Sequence, residues 1–178
     1  GLTTWGLELG GQRKSLFVQA EYFDIEVERR NSLLSDPRFS GWYVQGGWTI
    51  TGEPRRYGIA NATFDSPRPD RPFSVKDGQW GAWELGLRYS NLDLNYRAGA
   101  AGTAPVADAV RGGEQEIWTL GLNWYLNSVL RFQAAYQHVD VDRLSPGGSA
   151  FVAGTTPPAG AQVGQELNIW SLRTQYAF

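Results

Sequence analysis

The sequence predicts an all-β fold of one kind, a transmembrane antiparallel up-and-down β-barrel. Seven separate stretches alternate apolar and polar residues with period two, and Trp or Tyr marks the ends of several of the apolar stripes. The last stretch runs out at Tyr176-Ala177-Phe178, with Trp170, Leu172, Tyr176 and Phe178 on one face and Ile169, Ser171, Arg173, Gln175 and Ala177 on the other. Thr174 is a mild exception on the apolar face. An aromatic-capped strand at the C-terminus is what the assembly machinery of the Gram-negative outer membrane recognises. Strands with one apolar face cross a bilayer with only alternate residues in lipid. A mean hydropathy of -0.38 therefore fits the prediction, and no stretch approaches the ~18 apolar residues of a membrane helix.

The strands follow in order. Residues 3–11 put Trp5, Leu7 and Leu9 outward. Residues 16–29 put Leu16, Val18, Ala20 and Tyr22 outward, with Gln19 and Glu21 inward. Residues 39–52 set Trp42, Val44, Trp48 and Ile50 against Tyr43, Gln45, Thr49 and Thr51. Residues 80–95 set Trp83, Leu85, Leu87 and Tyr89 against Glu84, Gly86, Arg88 and Ser90. Residues 114–126 set Trp118, Leu120, Leu122, Trp124 and Leu126 against Thr119, Gly121 and Asn123. Residues 129–141 set Leu130, Phe132, Ala134 and Tyr136 against Arg131, Gln133 and Gln137, and the seventh strand runs to Phe178. Each apolar stripe covers ~9–11 residues of strand, the length of a tilted crossing. In the second strand the apolar face switches to Phe23, Ile25 and Val27, by a β-bulge or by extension beyond the bilayer. The alternation also fits a soluble barrel or sandwich whose apolar faces meet in a core.

The connections set an orientation. Residues 12–15 and 127–128 are tight turns, while residues 31–38, 96–113 and 142–163 are longer, the last carrying Pro146-Gly147-Gly148 and Pro157-Pro158-Ala159-Gly160. Outer-membrane barrels keep short turns in the periplasm and long loops outside, so the tight turns are expected inside and residues 142–163 outside. Residues 53–79 fall on the short-turn side despite their length. They carry Arg55, Arg56, Arg68, Arg71 and Lys76, punctuated by Pro54, Pro67, Pro69 and Pro72. Such a connection is usually functional or disordered. It either folds back into the lumen or forms a solvated flap whose Asp65, Asp70 and Asp77 offset the bases.

Composition narrows the chemistry. There is no Cys and one His, His138, on an outward face, so thiol catalysis and the usual metal sites have no donors, and neither a catalytic residue nor a cofactor is expected. A net charge of -2 gives no global field for nucleic acid. Arg88, Arg131 and Arg173 come from three strands and face away from the apolar stripe. An arginine facing lipid at midplane would cost ~2–4 kcal/mol, so these belong in an aqueous lumen. There they either draw anions into a pore or pair with wall carboxylates such as Glu8, Glu21 and Glu84.

Gln19-Ala20-Glu21-Tyr22, Tyr43-Val44-Gln45, Thr51-Gly52-Glu53, Gly81-Ala82-Trp83-Glu84-Leu85 with Arg88-Tyr89-Ser90, and Leu122-Asn123-Trp124-Tyr125-Leu126-Asn127 stand in this order along the chain. In combination they resemble the C-terminal half of the phosphate-selective porins O and P. The resemblance implies a 16-stranded homotrimeric porin set in outer-membrane lipid and lipopolysaccharide, with inward-folded segments and an arginine-lined path for phosphate or polyphosphate. Seven strands are an odd number and about half of that barrel, so an N-terminal portion is expected before Gly1. The expected function is diffusion of small anions through a water-filled channel. The alternatives are an outer-membrane barrel with a structural or partner-binding role, and a soluble barrel holding an apolar ligand.

Overall fold

The structure, a computed structural model, describes residues 1–30, 32–60, 63–147 and 157–177. Its strands are β1 (Leu2–Arg13), β2 (Leu16–Val27), β3 (Arg38–Thr49), β4 (Tyr57–Gly58), β5 (Thr63–Phe64), β6 (Ala82–Tyr96), β7 (Val110–Tyr125), β8 (Leu130–Asp142) and β9 (Gln165–Tyr176), and none of the described residues is helical. The seven long strands make one antiparallel sheet in the order β1-β2-β3-β6-β7-β8-β9, and β4-β5 is a separate hairpin. All seven expected strands are present as an up-and-down meander. Phe178, and residues 148–156 of the longest loop, lie outside the described residues.

Local chemistry fixes the short connections. Lys14, with φ of 55°, supplies the left-handed step that a two-residue hairpin turn between β1 and β2 needs. At the β7–β8 turn the Asn127 side-chain oxygen accepts from the Val129 and Leu130 amides, both at 2.9 Å, standing in for a backbone turn bond. β7 begins at Val110, earlier than the alternation suggested, because Gly112 and Gly113 pass the register shift between Asp93 and Asn95 of β6. A Cβ at Gly112 would lie 2.5 Å from the Leu94 Cβ, so only glycine continues the strand there.

The switch in β2 has a different cause from a bulge. Register is unbroken along β2 against both neighbours, and Phe17 and Phe23 point to the polar face opposite Gly47 and Gly41. The Phe23 ring occupies the space of a Gly41 side chain, 2.4 Å from where its Cβ would be, and Phe17 does the same to Gly47 at 2.2 Å. Each aromatic ring covers a glycine across the strand pair, so the inward phenylalanines cost the wall no extra thickness.

The two faces of the sheet are partitioned inside out. Trp5, Leu7, Leu9, Trp42, Val44, Leu87, Leu120 and Leu122 are exposed, and Leu172 reaches 88%. The largest fully buried side chains are polar: Thr49 is 0% exposed and Glu84 1%. In a soluble barrel the apolar face would be the covered one; here the polar face is covered, by the segment between β3 and β6. The apolar face also carries two aromatic bands. On the side of the long loops Trp42, Tyr89 and Trp118 touch in series at 5.1 and 4.7 Å. On the side of the tight turns Trp83, Trp124 and Phe132 do so at 5.1 and 5.8 Å. Leu85 and Leu87 lie between the bands on β6, Leu120 and Leu122 on β7, the layering of a lipid-facing wall between two interfacial girdles.

Candidate functional site: the polar face

The register stacks the polar face into rows running across the strands. Gln19, Gln45, Arg88, Thr119 and Gln137 form one row. The next is nearly bare: Phe17, Gly47, Gly86, Gly121 and Ala135. Beyond it come Thr49, Glu84, Asn123, Gln133 and Arg173, and then Tyr125, Arg131 and Gln175. Arg88, Arg173 and Arg131 thus occupy three different levels of the wall.

The rows are hydrogen-bonded within themselves. Gln45 donates to Gln19 at 3.1 Å, Arg88 Nη1 donates to the Gln45 oxygen at 3.1 Å, and Gln19 donates to Glu8 at 2.7 Å. The Arg88 guanidinium lies over the Tyr43 ring, 3.8 Å from its centre. Arg131 gives Nε and Nη2 to the Gln175 oxygen at 3.1 and 2.7 Å, and Nη1 to Ser66 Oγ at 2.8 Å. Neither Arg88 nor Arg131 is in an ion pair among the described residues. Arg173 stands opposite Gln133 on the edge strand and is exposed.

The long connection contains the β4–β5 hairpin, which the sequence reading treated as structureless, and lies against the polar face. Arg55 binds Glu84 through Nε to Oε1 at 2.7 Å and Nη2 to Oε2 at 2.8 Å. Phe64 stacks on Phe17 and Tyr57, with ring centres 5.7 and 5.0 Å apart. A cavity of about 280 Å³ remains between this segment and the bare row, and Gln45, Arg55, Arg88, Thr119 and Gln133 line it. A second, of about 290 Å³, lies by the β7–β8 turn, with Arg68, Arg131, Ser66 and Asn127 in its wall. Arg56, Arg68, Arg71 and Lys76 are exposed. Lys76 is set apart from the rest: it sits in the turn closed by the Ser74–Gln79 bridge, beside Phe73, whose ring packs on Trp80 and on Trp124 of the apolar face. His138 lies across from Trp118 and Asn168, its Nδ1 3.0 Å from the Asn168 side-chain oxygen.

At the other end of the sheet are residues that sequence reasoning missed. Arg111, 4% exposed, donates to the carbonyls of Ala98, Thr103 and Ser145, each at 2.8 Å. Asp108 accepts from Ser35 and, at 2.5 Å, from Arg97, while Arg29 Nη2 donates to its carbonyl at 2.8 Å. A lone Arg beside Gly112-Gly113 and a lone Asp in an alanine-rich loop gave no periodic signal. The Ser35 hydrogen bond and the Arg97 charge hold the Asp108 carboxyl below the usual range, against the opposing effect of burial. A carboxyl lowered in the folded state stabilises at pH values above its unfolded pKa and stops doing so as pH falls through the folded one. Amide protection factors in residues 97–109, taken relative to the intrinsic exchange rate at each pH, are therefore expected to fall on acidification, and Asp108→Asn should remove that step.

The family model for phosphate-selective porin O and P matches residues 2–178. The chain belongs to this porin family. It is 31% identical over 143 residues to Porin O of Pseudomonas aeruginosa, across 80% of this chain and 31% of that protein. It is 34% identical over 110 residues to an uncharacterized protein of Caulobacter vibrioides, across 62% of this chain and 19% of that one. The chain thus spans about a third or less of the length of these two relatives. Membership agrees with an antiparallel sheet that has one apolar and one polar face.

Proposed function

We propose that this chain forms part of an outer-membrane porin through which small anions, phosphate first among them, diffuse down their gradient. The observation that carries the reading is Arg88: it stands on the polar face with one amide and one ring as partners and no carboxylate. A guanidinium has five N–H donors in a fixed fork, so Arg88 keeps donors for a passing oxyanion. Family membership supports a 16-stranded trimeric barrel in a Gram-negative outer membrane, of which these seven strands are a part, in contact with lipid and lipopolysaccharide. On this reading residues 53–79 enter the lumen from the periplasmic side, and Arg131 and Arg173 extend the positive path.

A unit charge ~8 Å from an ion contributes on the order of 2 kcal/mol at an effective dielectric of about 20, and lumen water and salt reduce it several-fold. Planar-bilayer reversal potentials in asymmetric salt measure it. Arg88→Gln is expected to move them towards the cation value by a small step, and the triple Gln variant of Arg88, Arg131 and Arg173 by a larger one, with conductance kept. Reversal potentials that stay put in the triple variant would refute an anion path along this face.

A further inference from the structure

The Arg55–Glu84 pair differs in kind from the other arginines of the wall. Both Glu84 oxygens take the Arg55 fork, and Oε2 also accepts from Tyr125 at 2.8 Å and Asn123 at 3.2 Å. The side chains are 17% and 1% exposed. The remaining Arg55 nitrogen reaches back to the carbonyls of Phe64 and Asp65 at 3.4 and 3.5 Å, and the guanidinium lies 4.1 Å from the centre of the Phe17 ring. Arg55 thus joins the wall to both legs of the β4–β5 hairpin at once. From this base the hairpin reaches across the face: the Phe64 ring lies 3.1 Å from where a Gly10 Cβ would be, on β1. Its tip at Ile59 is open, 89% exposed.

Chemically, Arg55 spends its two best-aligned donors on Glu84, and a carboxylate that meets it fork to fork cancels the charge that would attract an anion. Its place beside Arg88 in one cavity serves a different purpose. The hairpin's own ladder is the Tyr57–Phe64 and Gly58–Thr63 pairs and the Asp65 amide on the Arg56 carbonyl at 2.7 Å, too short to stand alone. Its other holds on the sheet are the neutral Arg131–Ser66 hydrogen bond and the Phe64–Phe17 ring contact.

We infer that Arg55 is a positioning residue whose buried fork on Glu84 clips the β4–β5 hairpin to the wall and so sets the free cross-section in front of Arg88. The inference rests on the porin reading for its functional consequence, but not for the clip itself. Replacing either partner frees the hairpin base, widens the path and leaves Arg88 less closely faced. Exchanging the charges rebuilds the pair in reverse.

The test uses the full chain, with a nitroxide on Ile59→Cys; the sequence has no native cysteine to compete. Electron paramagnetic resonance of the folded protein reads the clip, and single-channel recording in chloride and then phosphate reads the pore. Glu84→Gln and Arg55→Gln are expected to lose the immobile spectral component, to raise open-channel conductance and to weaken block of chloride current by phosphate. The Arg55→Glu/Glu84→Arg exchange should restore all three. A spectrum that is the same in Glu84→Gln as in the unchanged protein overturns the clip. A freed label with unaltered conductance overturns its control of the pore. If the unchanged protein forms no channel at all while its label still answers to Glu84→Gln, the clip stands and the porin reading falls instead.

Discussion

Leu120→Arg is expected to destabilise the folded protein in a bilayer by ~2–4 kcal/mol, the cost of a cation on a lipid face near the midplane. That is roughly a 30- to 1000-fold shift in the folding equilibrium. Leu120 is 48% exposed in the sheet and lies between Trp118 and Trp124, one in each aromatic band. Its neighbour Thr119 points the other way, beside Arg88 and Gln137. Thr119→Arg should therefore stay within about 1 kcal/mol, as substitutions into water mostly do. Denaturant unfolding in lipid vesicles, followed by tryptophan fluorescence, compares the two directly. Because a strand slipped by one residue exchanges every face, a larger loss for Thr119→Arg would invert the whole assignment.

Glu84→Ala is expected to cost ~3–5 kcal/mol, the penalty for stranding one member of a buried ion pair. Arg55 would keep its charge without the carboxylate, and Tyr125 and Asn123 would lose their acceptor. Removing Arg55 as well should return part of the loss, since coupling within such a network is ~0.5–3 kcal/mol. Glu8, on an exposed strand and hydrogen-bonded by Gln19, should cost well under that when cut to alanine. Equal effects at Glu8 and Glu84 in the same unfolding assay would contradict the burial described for Glu84.

How much of this was legible in the sequence follows from what repeats. Period two is a local signal, so Leu120 against Thr119, or Trp83 against Glu84, could be sorted by face from residue order alone. Which face is covered could not, because alternation is symmetric; the buried Glu84 beside the exposed Leu122 is a tertiary fact. The switch to Phe23 misled for a related reason. It looks like a change of face until Gly41, distant in sequence, is placed opposite it. Arg55 and Arg88 are indistinguishable as letters. One is neutralised by a carboxylate on another strand and the other is not, and only the register and the hairpin's return separate them. Asp108 belongs to a loop and Arg111 to the start of β7 beyond it, and the partners of both lie in loops, which follow no period.

Arg111 has a consequence for how one end of the sheet behaves under stress. It ties residues 97–109 to Ser145 through backbone carbonyls, which neither titrate nor carry a charge for salt to screen. The join between Arg29, Ser35 and residues 97–109 combines the Asp108 carboxylate, held by Ser35 and Arg97, with the Arg29 bond to the Asp108 carbonyl. Two seams of one rim thus differ in material, one made of backbone carbonyls alone and the other fastened in part by a removable charge. Acidification is expected to loosen the second and to leave the first in place.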